Sequence, residues 1–135
     1  MPPMLMQHDE DPAQVIFKAI GMKKPGALPG FELFANRVLL GVYTRPEKTA
    51  RGVHLPNQTR DEDKYQGKAG LVLMVGPAAF KSDKNYDFMG QKIEVGDWVS
   101  LWVSDGKSIQ INGQSCRLVR DQDIVMKIPA PDQVY

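Results

Sequence analysis

The sequence has little of what disulfide-rich, membrane-spanning or nucleic-acid-binding proteins need. It contains one cysteine, Cys116, so no disulfide can form within the chain. Its longest apolar run, Leu71 to Val75, is far shorter than a membrane span. Lysine and arginine number 17 against 16 for aspartate and glutamate, so the basic excess of phosphate-binding proteins is missing. We therefore expect partners other than nucleic acid or membrane.

The start of the chain does not fit a secretory signal. Met1 to Gln7 is apolar, but it has no basic start and runs straight into His8, Asp9, Glu10 and Asp11. We expect a protein that acts inside a cell or in a particle assembled there.

Residues for covalent chemistry are also scarce. Neither His8 nor His54 has a cysteine or second histidine at metal-ligand spacing, and no glycine-rich phosphate loop occurs. The acidic clusters at 60–64 and 120–123 are flanked by arginine or lysine, which indicates solvated turns. Cys116 alternates with Leu118 and is expected to be a buried, unreactive side chain. We predict no catalytic, metal-binding or cofactor-binding residue, and no enzyme.

Residues 1–32 are predicted to be an N-terminal extension with a short helix over 12–20. Asp11 is a good N-cap, Pro12 suits the first helical position, and Gly21 follows the end. The apolar stripe of this helix consists of Val15, Ile16, Ala19 and Ile20. A helix this short needs a docking surface, either on its own domain or on a neighbouring chain. A linker with two prolines and two glycines follows it.

From residue 33 to residue 128 the pattern has the period of β-strands. Asp105-Gly106 and Asn112-Gly113 are strong hairpin signals because their residues tolerate positive φ. Trp98 and Trp102 are expected on one strand face in structural roles. The alternating sets are Val38, Leu40 and Val42; Leu71, Leu73 and Val75, opposite Val72 and Met74; Val99, Leu101 and Val103; and Ile124, Met126 and Ile128. This pattern predicts an all-β fold, a small antiparallel barrel, with a tail at 129–135.

The order of several segments resembles the GroES-like co-chaperonin family. The segments are "NRVLLGVY", "GVHLP", "GLVLMVGP", "IEVGDWVSLWVSDG" and "RDQDIVMKI". The sequence from Arg45 to Phe80, together with the helical extension, is most similar to the longer GroES-like proteins of phages and prophages. The resemblance implies a non-catalytic subunit whose partners are other proteins.

The resemblance also implies a role for the charged segment between the first two strands. A flexible loop over 44–68 would carry the tripeptide Val53-His54-Leu55 to a groove on a chaperonin, with Gly52 and Pro56 beside it. Val53 and Leu55 would enter the groove together, because alternate residues of an extended segment share a face. The family's middle residue is usually apolar, and here it is His54. The alternative is a loop that contacts only water or its own barrel.

A ring is the assembly that the resemblance implies. The first strand of one subunit would pair with the last strand of the next, which closes otherwise unpaired sheet edges. The matching stretches are 33–38 and 124–128. The predicted interface residues are Leu33, Phe34, Val38, Ile124, Met126 and Ile128.

Two functions fit these expectations. One is a phage-encoded co-chaperonin lid in the bacterial cytoplasm, which binds the host chaperonin and assists folding of capsid protein. The other is the same fold used as a decoration or stabilising protein on a phage head, bound to the major capsid protein. The extension, the polar His54 and the tail favour the second function.

Overall fold

The structure is a computed structural model, and its core is one antiparallel β-sheet. It describes residues 10–45, 54, 56–58, 60, 68–84, 86–102 and 104–134. The elements are α1 (Pro12–Ile20), β1 (Arg37–Val42), β2 (Ala69–Val75), β3 (Trp98–Leu101), β4 (Lys107–Ile111), β5 (Gln114–Arg120) and β6 (Ile124–Ile128), with 3-10 turns at Asp121–Asp123 and Pro131–Val134. The predicted all-β class with a short helical extension is confirmed. No helix in these described ranges is long and apolar enough to cross a membrane.

The six strands follow the order β4-β5-β1-β2-β3-β6, with antiparallel pairing throughout. Asn112 and Gly113, with φ of 52° and 83°, form the tight turn between β4 and β5, as predicted. The expected hairpin at Asp105-Gly106 is wrong. Its flanking strands β3 and β4 lie far apart in the order, because β3 pairs with β2 and β6 whereas β4 pairs with β5.

Apolar side chains fill both faces of the sheet. The first group, the helix-side cluster, includes Ile16, Phe17, Ile20, Leu39, Tyr43, Leu71, Leu73, Met74, Trp98, Ile111, Cys116 and Ile128. The second, the opposite cluster, consists of Val38, Leu40, Val72, Val99, Leu101 and Val119. Val38 and Leu40 belong to one cluster and Leu39 to the other, as expected for successive residues of a strand. Ala79, Phe80 and Ile93 from the β2–β3 connection pack against the opposite cluster.

Two irregularities alter the predicted alternation. Leu39 pairs with Met74 but Leu40 pairs with Val72, so Leu73 is an extra residue in β2. Met74 therefore joins the helix-side cluster and Val75 packs against the opposite one, contrary to the simple period-two expectation. A similar shift between Ser100 and Leu101 inserts an extra residue in β6.

The shift in β6 separates three residues that were expected on one face. Ile124 packs against the opposite cluster, Ile128 lies in the helix-side cluster, and Met126 is half exposed. An extra residue reverses the face of every side chain beyond it, because the side-chain period of a strand is two residues.

Helix α1 docks on its own domain. Ile16, Phe17 and Ile20 are buried in the helix-side cluster, whereas Val15 and Ala19 of the predicted stripe are exposed. A side chain at Gly41 of β1 would place its Cβ 2.5 Å from Ile16, so the helix approaches where the strand has no side chain. The apolar face is therefore rotated from the predicted one towards Phe17.

Both ends of α1 are capped. The Ala13 N–H donates to the Asp11 carboxylate over 3.1 Å. Gly21 has φ of 83°, and the Met22 N–H donates to the Phe17 carbonyl in the arrangement of a Schellman cap. The Asn112 side chain then donates to the Ile20 carbonyl over 2.6 Å, which ties the helix to the β4–β5 turn.

Candidate protein-binding surfaces

The long connection between β1 and β2 has a closed base. The N–H of Tyr43, just after β1, donates to the carbonyl of Ala69, the first residue of β2, over 3.0 Å. The Tyr43 ring then packs edge-on against Trp98, with 5.8 Å between the ring centres. The connection therefore leaves and re-enters the sheet at neighbouring, well-packed positions.

The described parts of this connection reach back to its base. The Arg60 N–H donates to the Pro56 carbonyl over 3.3 Å, which closes one helical turn. The Arg60 Nε donates to the Arg45 carbonyl over 3.1 Å. Arg60 thus contacts Arg45, which lies shortly after the end of β1.

Of the predicted partner-binding residues, His54 and Pro56 lie on the surface and are exposed. Gly52, Val53 and Leu55 lie outside the described residues. Their contact with a partner stays a prediction, and so does the boundary of the loop at 44–68.

The predicted subunit interface divides into accessible and inaccessible residues. Phe34 is 72% exposed and Met126 is 51% exposed, so both can contact a neighbour. Val38 and Ile128 are buried in the chain's own core at 0% and 6%, so their side chains are not accessible to a neighbour, and their place in an interface stays a prediction. Val38 is inaccessible because β1 is flanked on both sides by strands of its own chain.

The two remaining interface candidates have intermediate exposure. Leu33 packs partly against the helix-side cluster, and Ile124 packs partly against the opposite cluster. Both can contribute to an interface only through the part of the side chain that stays accessible.

A groove of about 560 Å³ lies beside β6, where the sequence patterns did not predict one. Phe80, Tyr86 and Phe88 line one wall and Val125 and Met126 of β6 the other. The Phe88 ring centre is 5.4 Å from that of Phe80 and 4.6 Å from that of Tyr86. Because β6 is the last strand in the sheet order, the groove runs along a sheet edge. The available signal in the sequence was the pair of aromatic residues Tyr86 and Phe88, two positions apart.

The loop that carries these aromatic side chains is held by its own polar residues. Asp83 accepts from the Tyr86 N–H over 2.9 Å, and Asp87 accepts from the Met89 N–H over 2.8 Å. The Met89 N–H and the Ser82 hydroxyl lower the pKa of Asp87 because both donate to its carboxylate. The aromatic wall of the groove is therefore supported locally.

Asp121 connects this loop to the start of β1. Its carboxylate accepts from the Asn36 side chain over 3.1 Å, from the Phe80 N–H over 3.0 Å and from the Gln122 N–H over 2.8 Å. The Asp121 N–H donates to the Asn36 carbonyl. Asp121 is only 4% exposed, so the expectation of solvated charge throughout 120–123 is wrong at this residue. A buried carboxylate needs such donors, and two of the three, from Asn36 and Phe80, come from residues distant in the sequence.

The remaining candidates for chemistry are structural. Cys116 is buried, and burial raises the pKa of its thiol to about 11. Trp98 is buried, but Trp102 lies beyond the end of β3 and is 65% exposed, so the two do not share a strand face. Within the ranges that the structure describes, no three side chains of the types that bind metal ions lie together.

Comparison with known proteins identifies the family of this architecture. The model of the family described as Chaperonin 10 Kd subunit matches residues 31–128. That range includes the six strands and the β1–β2 connection but leaves helix α1 outside.

The matched regions span most of the length of each relative named below. Co-chaperonin GroES 1 of Rhodopirellula baltica is 30% identical over 93 residues, which is 69% of this chain and 86% of the relative. Co-chaperonin GroES of Syntrophomonas wolfei is 35% identical over 82 residues, 61% of this chain and 79% of the relative. Co-chaperonin GroES of Methylobacillus flagellatus is 31% identical over 90 residues, 67% and 88% respectively.

Proposed function

Because this chain belongs to the Chaperonin 10 Kd subunit family, we propose that it is a non-catalytic co-chaperonin subunit that binds a chaperonin through the loop 44–68. The observation that carries the proposal is the family match over 31–128, a range that includes the loop and the strands that hold it. The proposed activity is protein binding, with no covalent step and no cofactor. Its proposed location is the bacterial cytoplasm.

The loop binds by inserting Val53 and Leu55 into an apolar groove of the chaperonin. Burial of two aliphatic side chains contributes roughly 3–5 kcal/mol before the cost of ordering the loop. One loop therefore binds weakly. Several loops on one ring bind tightly, because the first contact raises the effective concentration of the others. The hydrogen-bonded loop base at Tyr43 and Ala69 supports this role, since it fixes where the loop leaves the subunit.

The ring forms along β6. In the proposed seam, the segment 33–36 of one subunit lies beside the outer edge of β6 of the next, and Phe34 enters the neighbour's groove. The exposed Phe34, the exposed Met126 and the aromatic lining of the groove support this pairing. Ala35 has φ of 54° and the Arg37 N–H donates to the Phe34 carbonyl, so 34–37 form a turn and the proposed contact with the neighbour is made by the Phe34 side chain.

The test of the loop uses the purified full chain, a bacterial chaperonin and nucleotide. We expect a complex for the natural sequence and at least roughly tenfold weaker binding for Leu55→Ala, since one buried aliphatic side chain is lost. His54→Ala is the matched control, because His54 points away from the groove in the extended segment, and it should bind as well as the natural sequence. Absence of any complex with the natural sequence would exclude the co-chaperonin role. Equal losses for both variants would exclude the insertion geometry.

The proposal extends to the origin of this chain and to the protein whose folding it assists. We propose a phage-encoded subunit whose client is a capsid protein. Refolding of purified major capsid protein by the chaperonin should then depend on this chain. Equal yields with and without it would remove the capsid protein as client.

A second candidate function is a stabilising subunit of a phage head. The helix outside the family match and the exposed, polar His54 favour it over a lid. Gel analysis of purified virions distinguishes the two functions. A band at the mass of this chain supports the head protein, and its absence excludes that function.

A further inference from the structure

Three cationic side chains converge at the end of the sheet near the start of β1. Arg37 of β1 and Arg120 of β5 are directly opposite each other in the register. Lys107 of β4 is opposite Leu118, two residues before Arg120. Residues two apart in a strand share a face, so all three cations lie on the same face of three adjacent strands. They line one groove of about 380 Å³.

The charges in this groove are incompletely balanced. The Arg120 Nη2 is 3.2 Å from the Asp123 carboxylate, and Asp105 also lines the groove. Arg37 and Lys107 are exposed and make no ion pair within the described part of the chain. The lining contains three cations and two carboxylates, and the buried Asp121 carboxylate also acts on Arg120, so Arg37 and Lys107 are the cations left without a carboxylate partner in the described residues.

Like charges directly opposite each other on neighbouring strands destabilise a sheet. An anion between Arg37 and Arg120 removes that repulsion. Guanidinium groups bind a carboxylate through two parallel hydrogen bonds, and Arg37 has its guanidinium available for one.

We propose that the groove of Arg37, Lys107 and Arg120 binds a carboxylate side chain of an acidic polypeptide segment. The half-buried Leu118, which lies on the same face as the three cations, gives the methylene part of an aspartate or glutamate a surface to pack against. This site is separate from the loop 44–68 and does not depend on chaperonin binding.

The experiment titrates the full chain with an acidic tripeptide, N-acetyl-Asp-Glu-Asp-amide, and follows backbone amide signals by NMR. Sodium acetate, phosphate and chloride at equal ionic strength are the comparison probes. We expect the tripeptide to shift the amide signals of Lys107 and Arg120 and to bind at least roughly tenfold more tightly than acetate. Chloride should leave these signals unchanged.

Arg37→Gln should weaken tripeptide binding roughly tenfold, because one charge-assisted contact is lost. It should also raise the melting temperature of the unliganded protein, because the repulsion with Arg120 is gone. Lys23→Gln removes an exposed cation outside the groove and is the matched control, with binding unchanged.

Several results would overturn the proposal. Binding that is as strong in Arg37→Gln as in the natural sequence would remove the site. Equal affinity for acetate and the tripeptide would remove the polypeptide as ligand, and tighter binding of phosphate would remove the carboxylate.

Discussion

At the scale of single residues, Asp121 and Cys116 are two buried side chains that could ionise, and their surroundings differ. Asp121 receives hydrogen bonds from Asn36, Phe80 and Gln122, so its buried carboxylate has donors on three sides. Cys116 lies among apolar side chains of the helix-side cluster, and burial raises its pKa to about 11. Asp121 therefore fixes the relative positions of three segments, whereas Cys116 fills space in the core.

The raised pKa of Cys116 predicts a dependence of stability on pH. The unfolded chain has the ordinary thiol pKa of 9.0, so between about pH 9 and pH 11 it loses its proton before the folded chain does. The free energy of unfolding should be unaffected by this thiol below pH 9. It should fall by about 3 kcal/mol as the pH rises through that window.

The measurement is urea unfolding of the natural sequence and of Cys116→Ala at several values between pH 8 and pH 11. The variant retains every lysine and tyrosine, so the difference between the two curves isolates the thiol. Parallel curves across the whole range would contradict the prediction.

At the scale of elements, helix α1 is an integral part of the core although it lies outside the family match. Its caps follow from local residues, and its burial follows from Gly41, where the strand leaves room for Ile16. The Asn112 side chain, in the β4–β5 turn, adds a hydrogen bond to the Ile20 carbonyl at the C-terminal end of the helix. The helix thus covers one face of the sheet that would otherwise expose apolar side chains.

Substitutions within this helix should separate its two faces. Ile20 is 0% exposed, and Ile20→Ala should lower the free energy of unfolding by about 2–4 kcal/mol, because the substitution leaves a cavity. Val15 is 46% exposed, and Val15→Ala should change it by less than about 1 kcal/mol. Chemical denaturation monitored by circular dichroism provides both values. Similar losses for both variants would mean that the helix is not docked through the face described above.

At the scale of the whole molecule, the sheet has two edges, β4 and β6, and they differ. The β6 edge carries exposed Val125 and Met126 and an aromatic groove beside them. An exposed apolar edge of this kind promotes aggregation unless a partner covers it. The proposed seam with a neighbour's Phe34 provides that cover and links subunit stability to ring formation.

Ring formation should therefore depend on both sides of the seam. Phe34→Ala and Met126→Lys should each raise the dissociation constant of the oligomer at least roughly tenfold, because each removes apolar contact from the interface. Sedimentation velocity at a series of protein concentrations measures this. Val15→Lys alters an exposed apolar residue on the helix and is the control, with unchanged assembly. If Phe34→Ala and Met126→Lys assemble like the natural sequence, the seam lies elsewhere.

Local patterns in the sequence were sufficient for much of the fold. Asp11, Pro12 and Gly21 predicted the limits of α1, and Asn112-Gly113 predicted the β4–β5 turn. The alternation of apolar residues predicted an all-β sheet. These features depend on residues within a few positions of one another, so their physical causes are present in the sequence itself.

Contacts between distant residues decided the rest. The extra residues in β2 and β6 follow from the register with β1 and β3, and they set the faces of Val75 and Met126. The burial of Asp121 depends on donors 41 and 85 positions away, and the groove beside β6 depends on a loop that packs against a later strand. Strand period, caps and turn chemistry were thus determined by the sequence alone. Which strand became an edge and which charged side chain became buried was decided only by the tertiary structure, because both depend on segments brought together by folding.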